Sequence, residues 1–152
     1  MARRRHVLRW VLGVAGVLVL ALGALWVAAM WFAFPSDASM CANTVVARYP
    51  SPDAARQLVV FERDCGASTD FSTSASVLSA GQELQNENGN LFAADTDHGA
   101  APAGRGGGPW VVAQWRDAQT LVLTHHPRAR IFLARKEVEG VRVIYLQSDG
   151  KP

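Results

Sequence analysis

A run of 25 residues without a single charge, Trp10 to Phe34, constrains this chain more than any other feature. At about 1.5 Å per residue it makes a helix of roughly 37 Å, enough to cross the hydrocarbon of a bilayer with some tilt. In lipid, a helix satisfies every backbone group within one segment. Arg3, Arg4, Arg5 and Arg9 precede the run. Positive charge stays on the cytoplasmic side of a membrane, which predicts a cytoplasmic N-terminus and an exported remainder, a single-pass protein of a bacterial inner membrane. Trp10 at the inner end, and Trp31 and Phe32 with Phe34 at the outer end, are the expected interfacial anchors. Pro35 then stops the helix.

A cleaved signal peptide is the competing reading. Its apolar region normally runs only about 7 to 15 residues, although Val27-Ala28-Ala29 offers small residues to a peptidase. A lipoprotein is disfavoured because Met40 precedes Cys41, where a small residue is wanted. Ala24 and Ala28 have the spacing of a helix–helix contact, a pattern that an alanine-rich run also produces by chance.

The 15 Lys/Arg and 13 Asp/Glu are unevenly spread. With the four N-terminal arginines set aside, the remainder is slightly acidic and has no basic stripe, which argues against a nucleic-acid partner. The expected organisation is a basic cytoplasmic tail over 1–9, a membrane helix over 10–34, a linker over 35–44, and one β-rich periplasmic domain over 45–152.

That domain reads as short strands separated by turns. Gln57 to Glu62 is β-branched and aromatic, and follows the turn chemistry of Tyr49-Pro-Ser-Pro-Asp53. Ala75 to Leu78, at the end of a Ser/Thr/Gly-rich loop over 66–76, and Leu91 to Ala94, after a polar turn over 82–90, are shorter candidates. Trp110–Trp115, Thr120–Thr124, Arg130–Ala134 and Val141–Leu146 follow at short spacing, and Val138-Glu-Gly-Val141 fits a tight hairpin. Val141–Leu146 alternates only in part, so burial on both faces is expected there. The glycine-rich stretch before Trp110, with Gly104-Arg-Gly-Gly-Gly108 at its centre, is expected to be the most flexible part of the domain. It superficially looks like a phosphate loop, but no Lys-Ser/Thr follows it. Sustained helical periodicity is missing, and the pattern predicts an antiparallel sheet, as a sandwich or a meander.

Cys41 and Cys65 are the two cysteines of the chain, and on the exported side they are expected to form a disulfide. Closing a loop of this length contributes about 3 to 4 kcal/mol in the chain-entropy picture. Asp95, Asp97 and His98, together with His125-His126, are the residues most like metal ligands, because carboxylate and imidazole together suit a divalent cation. A solvated acidic loop is the plainer reading. Adjacent histidines on a strand point to opposite faces, so only one of the pair would join such a site. No motif implies a cofactor. Nor is there a G-x-S-x-G nucleophile turn, and an acid pair drawn from Glu62, Asp64 and Asp70 competes with surface ion pairing to Arg63. Trp110 and Trp115 are five apart, so on one strand they face opposite sides; one is expected in the core. Glu62, Arg63, Asp64, Trp110 and Trp115 make up the candidate interaction surface.

Ser51-Pro-Asp53, then Leu58-Val-Val-Phe-Glu-Arg-Asp-Cys-Gly66, then Gly89-Asn-Leu-Phe92 resemble a group of small exported or membrane-anchored bacterial proteins of unassigned function. The resemblance spans roughly residues 41 to 146. It implies an exported β domain and supplies no reaction. A Ser-Pro-Asp turn before a strand also looks like the start of a propeller blade, but a propeller takes about four blades of roughly forty residues, more than this domain holds. The reading with most support is therefore a membrane-anchored binding protein whose partners are the bilayer, through 10–34, and another envelope protein, as for an immunity or inhibitor protein. The rivals are an envelope hydrolase using the Asp/Glu/His loops and an accessory subunit of a membrane complex.

Overall fold

The computed structural model describes residues 2–33, 41–66 and 70–150. They form two units, an N-terminal helix and a β domain.

Helix α1 runs Ala2–Ala33. α1 begins ahead of the apolar run, because the arginine-rich segment is helical as well: Arg and Leu are good helix formers and no glycine or proline interrupts before Gly13. Within α1, Trp10–Met30 has a mean hydropathy of 2.5, and none of it is buried. At about 1.5 Å per residue this stretch matches the hydrocarbon thickness of a bilayer. Trp10 is exposed. Phe34, Pro35 and the side chains of Trp31 and Phe32 lie outside the described residues.

The domain is a two-sheet sandwich. One sheet holds β1 (Ala42–Pro50), β2 (Arg56–Asp64), β3 (Ser72–Ser79), β4 (Phe92–Asp95) and β7 (Arg130–Ala134), in the order β1-β2-β3-β4-β7. The other holds β5 (Val111–Asp117), β6 (Thr120–His125), β8 (Glu137–Val138) and β9 (Val141–Gln147), in the order β5-β6-β9-β8. The first four strands form a meander, so both forms of the expected antiparallel architecture are present. One pairing departs from it: β6 and β9 run parallel. Between them the chain visits the opposite sheet as β7 before returning through β8, and so re-enters in the original direction.

Of the linker expected over 35–44, residues 35–40 lie outside the described residues, and Ala42, Asn43 and Thr44 belong to β1 instead. Most of β1 is exposed or half-buried, and it draws its conformation from eight register pairs with β2. Its hairpin to β2 is fastened by Ser51, whose Oγ donates to Asp53 Oδ1 (2.6 Å) and accepts from the Arg56 N–H (3.0 Å). The register sets Ala42 opposite Asp64, and Cys41 and Cys65 form a disulfide one step beyond that pair. The bond thus closes the open end of the hairpin.

Leu58, Val60, Ala75, Val77, Phe92 and Ala94 face Ala113, Leu121, Leu123, Val141 and Val143 across the sandwich core. Val59 and Phe61 point the other way, yet they are also fully buried. The polar segment after β3 crosses that outer side: Gln57 Nε2 donates to the Gln82 carbonyl, and Asn43 Nδ2 donates to the Gln85 and Glu87 carbonyls. Four consecutive buried residues, Leu58 to Phe61, thus result from cover on both faces of β2.

β9 does not behave this way. Val141 and Val143 are buried, Arg142 is exposed and Leu146 is 49% exposed, so this strand has one buried face. The tight turn before it is present, with Glu139 and Gly140 both at positive φ and Val138 opposite Val141.

Two aromatic side chains tie the sheets together at their margins. Trp115 Nε1 donates to the Tyr49 carbonyl (2.9 Å), joining β5 to β1. The Tyr145 hydroxyl donates to the Arg135 carbonyl (2.8 Å), joining β9 to the β7–β8 corner. Burial pushes the Tyr145 phenol up to about 12.

Candidate functional site

The outer side of β3, β4 and β7 is left open between two turns, Asn88-Gly89 and Asp95–His98. A groove of about 630 Å³ lies there, and Arg63, Asp70, Asp95, His98, Arg130 and Phe132 are on its walls. Strand register explains the grouping. Arg63 is opposite Ser72, Ser72 is opposite Asp95, and Asp95 is opposite Arg130, so side chains from four strands meet on one face.

Asp95 is the fixed point. It is 3% exposed, and both its carboxylate oxygens accept hydrogen bonds from Arg130, through Nε and through one terminal nitrogen. Asp95 Oδ1 also accepts the Asp97 N–H (2.9 Å). Burial by itself would raise the Asp95 pKa; the Arg130 guanidinium and the Asp97 N–H outweigh it and hold the carboxyl below its ordinary range. The same guanidinium lies 3.7 Å from Asp97 and over the Phe132 ring, 5.3 Å from its centroid. In the same turn as Asp95, His98 has its Nδ1 3.5 Å from Asp70. Arg63 donates to Asn43 (2.8 Å) and Asn86 (3.3 Å), which ties the groove floor to the overlying segment.

This geometry redistributes the residues singled out by sequence. Asp95, Asp97 and His98 do share the groove margin, but they are engaged with Arg130 and Asp70. Among the described residues, no three His, Cys, Asp or Glu side chains stand together as metal ligands. The two adjacent histidines diverge: His125 packs near Phe92 (5.5 Å between centroids), while His126 meets Trp110 edge-on (6.3 Å) and accepts the Arg128 N–H on Nδ1. Neither reaches the Asp95 turn.

The five residues of the expected interaction surface do not form one. Arg63 is in the groove. Glu62 is on the other face of β2, against Gly106, where burial and the Asp64 charge raise its pKa. Asp64 accepts the Gly66 N–H. Trp110 is buried, and Trp115 packs on the core.

The glycine-rich stretch is likewise not a free linker. Thr73 Oγ1 donates to the Pro109 carbonyl (2.7 Å), and a Cβ at Gly108 would fall 2.6 Å from the Thr73 nitrogen. At Gly108 the stretch packs directly on β3, and at Gly106 it lies against Glu62 of β2, which leaves no room there for a side chain. Arg130 and Phe132, the groove's main side chains, had no local sequence signal. Only the β4–β7 pairing brings Arg130 to Asp95, 35 residues away.

Searches of family models, of curated proteins and of solved structures find no match to this chain.

Proposed function

We propose that this chain is a membrane-anchored binding protein, with its β domain held in the bacterial periplasm on a single N-terminal helix and its partner, another envelope protein, taken up at the groove beside β7. The observation that carries this reading is the groove itself. It sets a rigid, hydrogen-bonded Asp95–Arg130 pair next to an exposed aromatic ring, the combination of fixed polar groups and apolar surface that recognition sites use. Three further features support the location. α1 contains a stretch long and apolar enough to span a bilayer; the arginines sit at its N-terminal end; and the domain carries a disulfide, a bond that persists in oxidising compartments. An immunity or inhibitor role falls within this reading.

The test is site-specific photocrosslinking in intact cells. A photoreactive side chain at Phe132 of the full chain should give a discrete adduct. The same group at Leu146, also exposed (49%, against 60% for Phe132) but on the other sheet, should not. Identical adduct patterns from the two positions, or none from Phe132, would dismiss the groove as the binding site. A C-terminal alkaline phosphatase fusion should be active and a β-galactosidase fusion inactive; the reverse would refute the orientation.

A further inference from the structure

Strand β7 forms one wall of the groove and is also the last strand of its sheet, so among the described residues one side of its backbone has no neighbouring strand. Such an edge is a template for another strand. Its side chains are unusually apolar for an edge: Ile131 is 38% exposed and Phe132 is 60% exposed. Phe132 sits in a register break, with Leu133 opposite Ala93 and Ile131 opposite Ala94, so it has no partner on β4 and stands out beside the groove.

Charge indicates what would pair there. From Pro127 to Lys136 the chain carries Arg128, Arg130, Arg135 and Lys136 and no carboxylate. Arg130 is engaged by Asp95 and Asp97. Arg128, Arg135 and Lys136 are exposed and form no ion pair among the described residues. A second copy of this chain is a poor occupant. Antiparallel pairing of two β7 strands about Phe132 would set Arg128 of one copy opposite Lys136 of the other, like charge against like.

We infer that β7 is a strand-addition site for an extended, acidic segment of a partner protein, whose backbone pairs with the open edge while its carboxylates meet Arg128, Arg135 and Lys136 and an apolar side chain packs on Phe132. This rests on the groove being the binding site and specifies what it binds.

The probe is a short fluorescent peptide alternating Glu and Val, titrated into the full-length chain in a non-ionic detergent at low ionic strength. Two controls are the Lys-Val equivalent and a fully N-methylated Glu-Val peptide, which keeps the side chains but has no backbone donor. The Glu-Val peptide should bind, protect residues 130–134 from amide exchange, and lose at least about tenfold in affinity on N-methylation or on exchange of Glu for Lys. The variant R128E/R135E/K136E, altered only at exposed positions, should reverse the preference between the two charged peptides.

Equal binding of the N-methylated peptide would overturn strand addition. An unchanged preference in the triple variant would overturn the charge complementarity. Protection of 130–134 by phosphatidylglycerol vesicles but not by the peptide would mean that the edge faces lipid instead, and protection that appears with self-association would mean a second copy. A Phe132 crosslink in cells without peptide binding would sink this inference alone. No crosslink from Phe132 would remove the groove reading beneath it.

Discussion

Asp95 holds the groove together at the level of single atoms. Its carboxylate is buried, while the Arg130 side chain that binds it is 44% exposed, so solvent screens part of the pair. Asp95→Asn should therefore cost about 1 to 3 kcal/mol, through charge-assisted hydrogen bonds rather than through a fully desolvated ion pair. Because the folded carboxyl lies below its ordinary pKa, its contribution is present above the unfolded pKa, near 4, and is lost as pH falls through the lower folded value. Chemical denaturation across pH should thus show an acid limb that is shallower in Asp95→Asn than in the native chain. An unchanged limb would show that Asp95 is not the group responsible. Gly108→Ala tests the packed glycine stretch in the same way. The added methyl meets the Thr73 backbone, which cannot rotate away, and a loss of about 1 to 3 kcal/mol is expected in the same unfolding experiment. These two residues also mark where the sequence was legible. Asp95 stood out by type, but its partner is fixed by strand register. The glycines stood out by density, but glycine density signals close packing and flexibility alike.

Among the elements, strands dense in β-branched, aromatic and long aliphatic residues were readable, whatever their burial. β2, β6 and β7 lie within a residue or two of where their side chains predict them. β1 was not, because most of its residues are exposed or half-buried and its polar Asn43, Thr44 and Arg48 disguise the period. The cysteines did carry the missing information. Residues paired across β1 and β2 up to Val45 and Phe61 are symmetric about the Ser51–Asp53 turn, and Cys41 and Cys65 obey the same symmetry. A disulfide flanking a turn at equal distances implies a hairpin, and so a strand upstream of Tyr49. Replacing both cysteines by serine should lower stability by about 3 to 4 kcal/mol, mainly by freeing the unfolded chain, while the β1–β2 hydrogen bonds survive in the folded state. Urea titration measures the first, and amide exchange over 42–50 measures the second. Loss of protection in β1 under native conditions would mean that the bond, rather than the ladder, holds the strand in place.

For the whole molecule, with α1 as the proposed anchor, the question is whether that helix is also a working surface. Its apolar stretch is uniformly exposed, and the small residues Gly13, Gly16, Gly23, Ala24 and Ala28 are scattered along it. The domain, by contrast, concentrates fixed charge and exposed aromatic surface in one groove. If recognition resides in the domain, exchanging Trp10–Met30 for an unrelated membrane helix, with the four arginines kept, should leave the Phe132 crosslink unchanged, because effective concentration at the membrane is preserved. Removing α1 and exporting the domain free should weaken capture without changing the adduct, since only that concentration is lost. If the helix is the active part, as in an accessory subunit of a membrane complex, the exchange should abolish the adduct while the domain stays folded and oxidised. Crosslinking yield, measured together with the oxidation state of Cys41 and Cys65, separates these outcomes: an intact disulfide rules out misfolding as the reason for a lost adduct, and a retained adduct assigns recognition to the β domain.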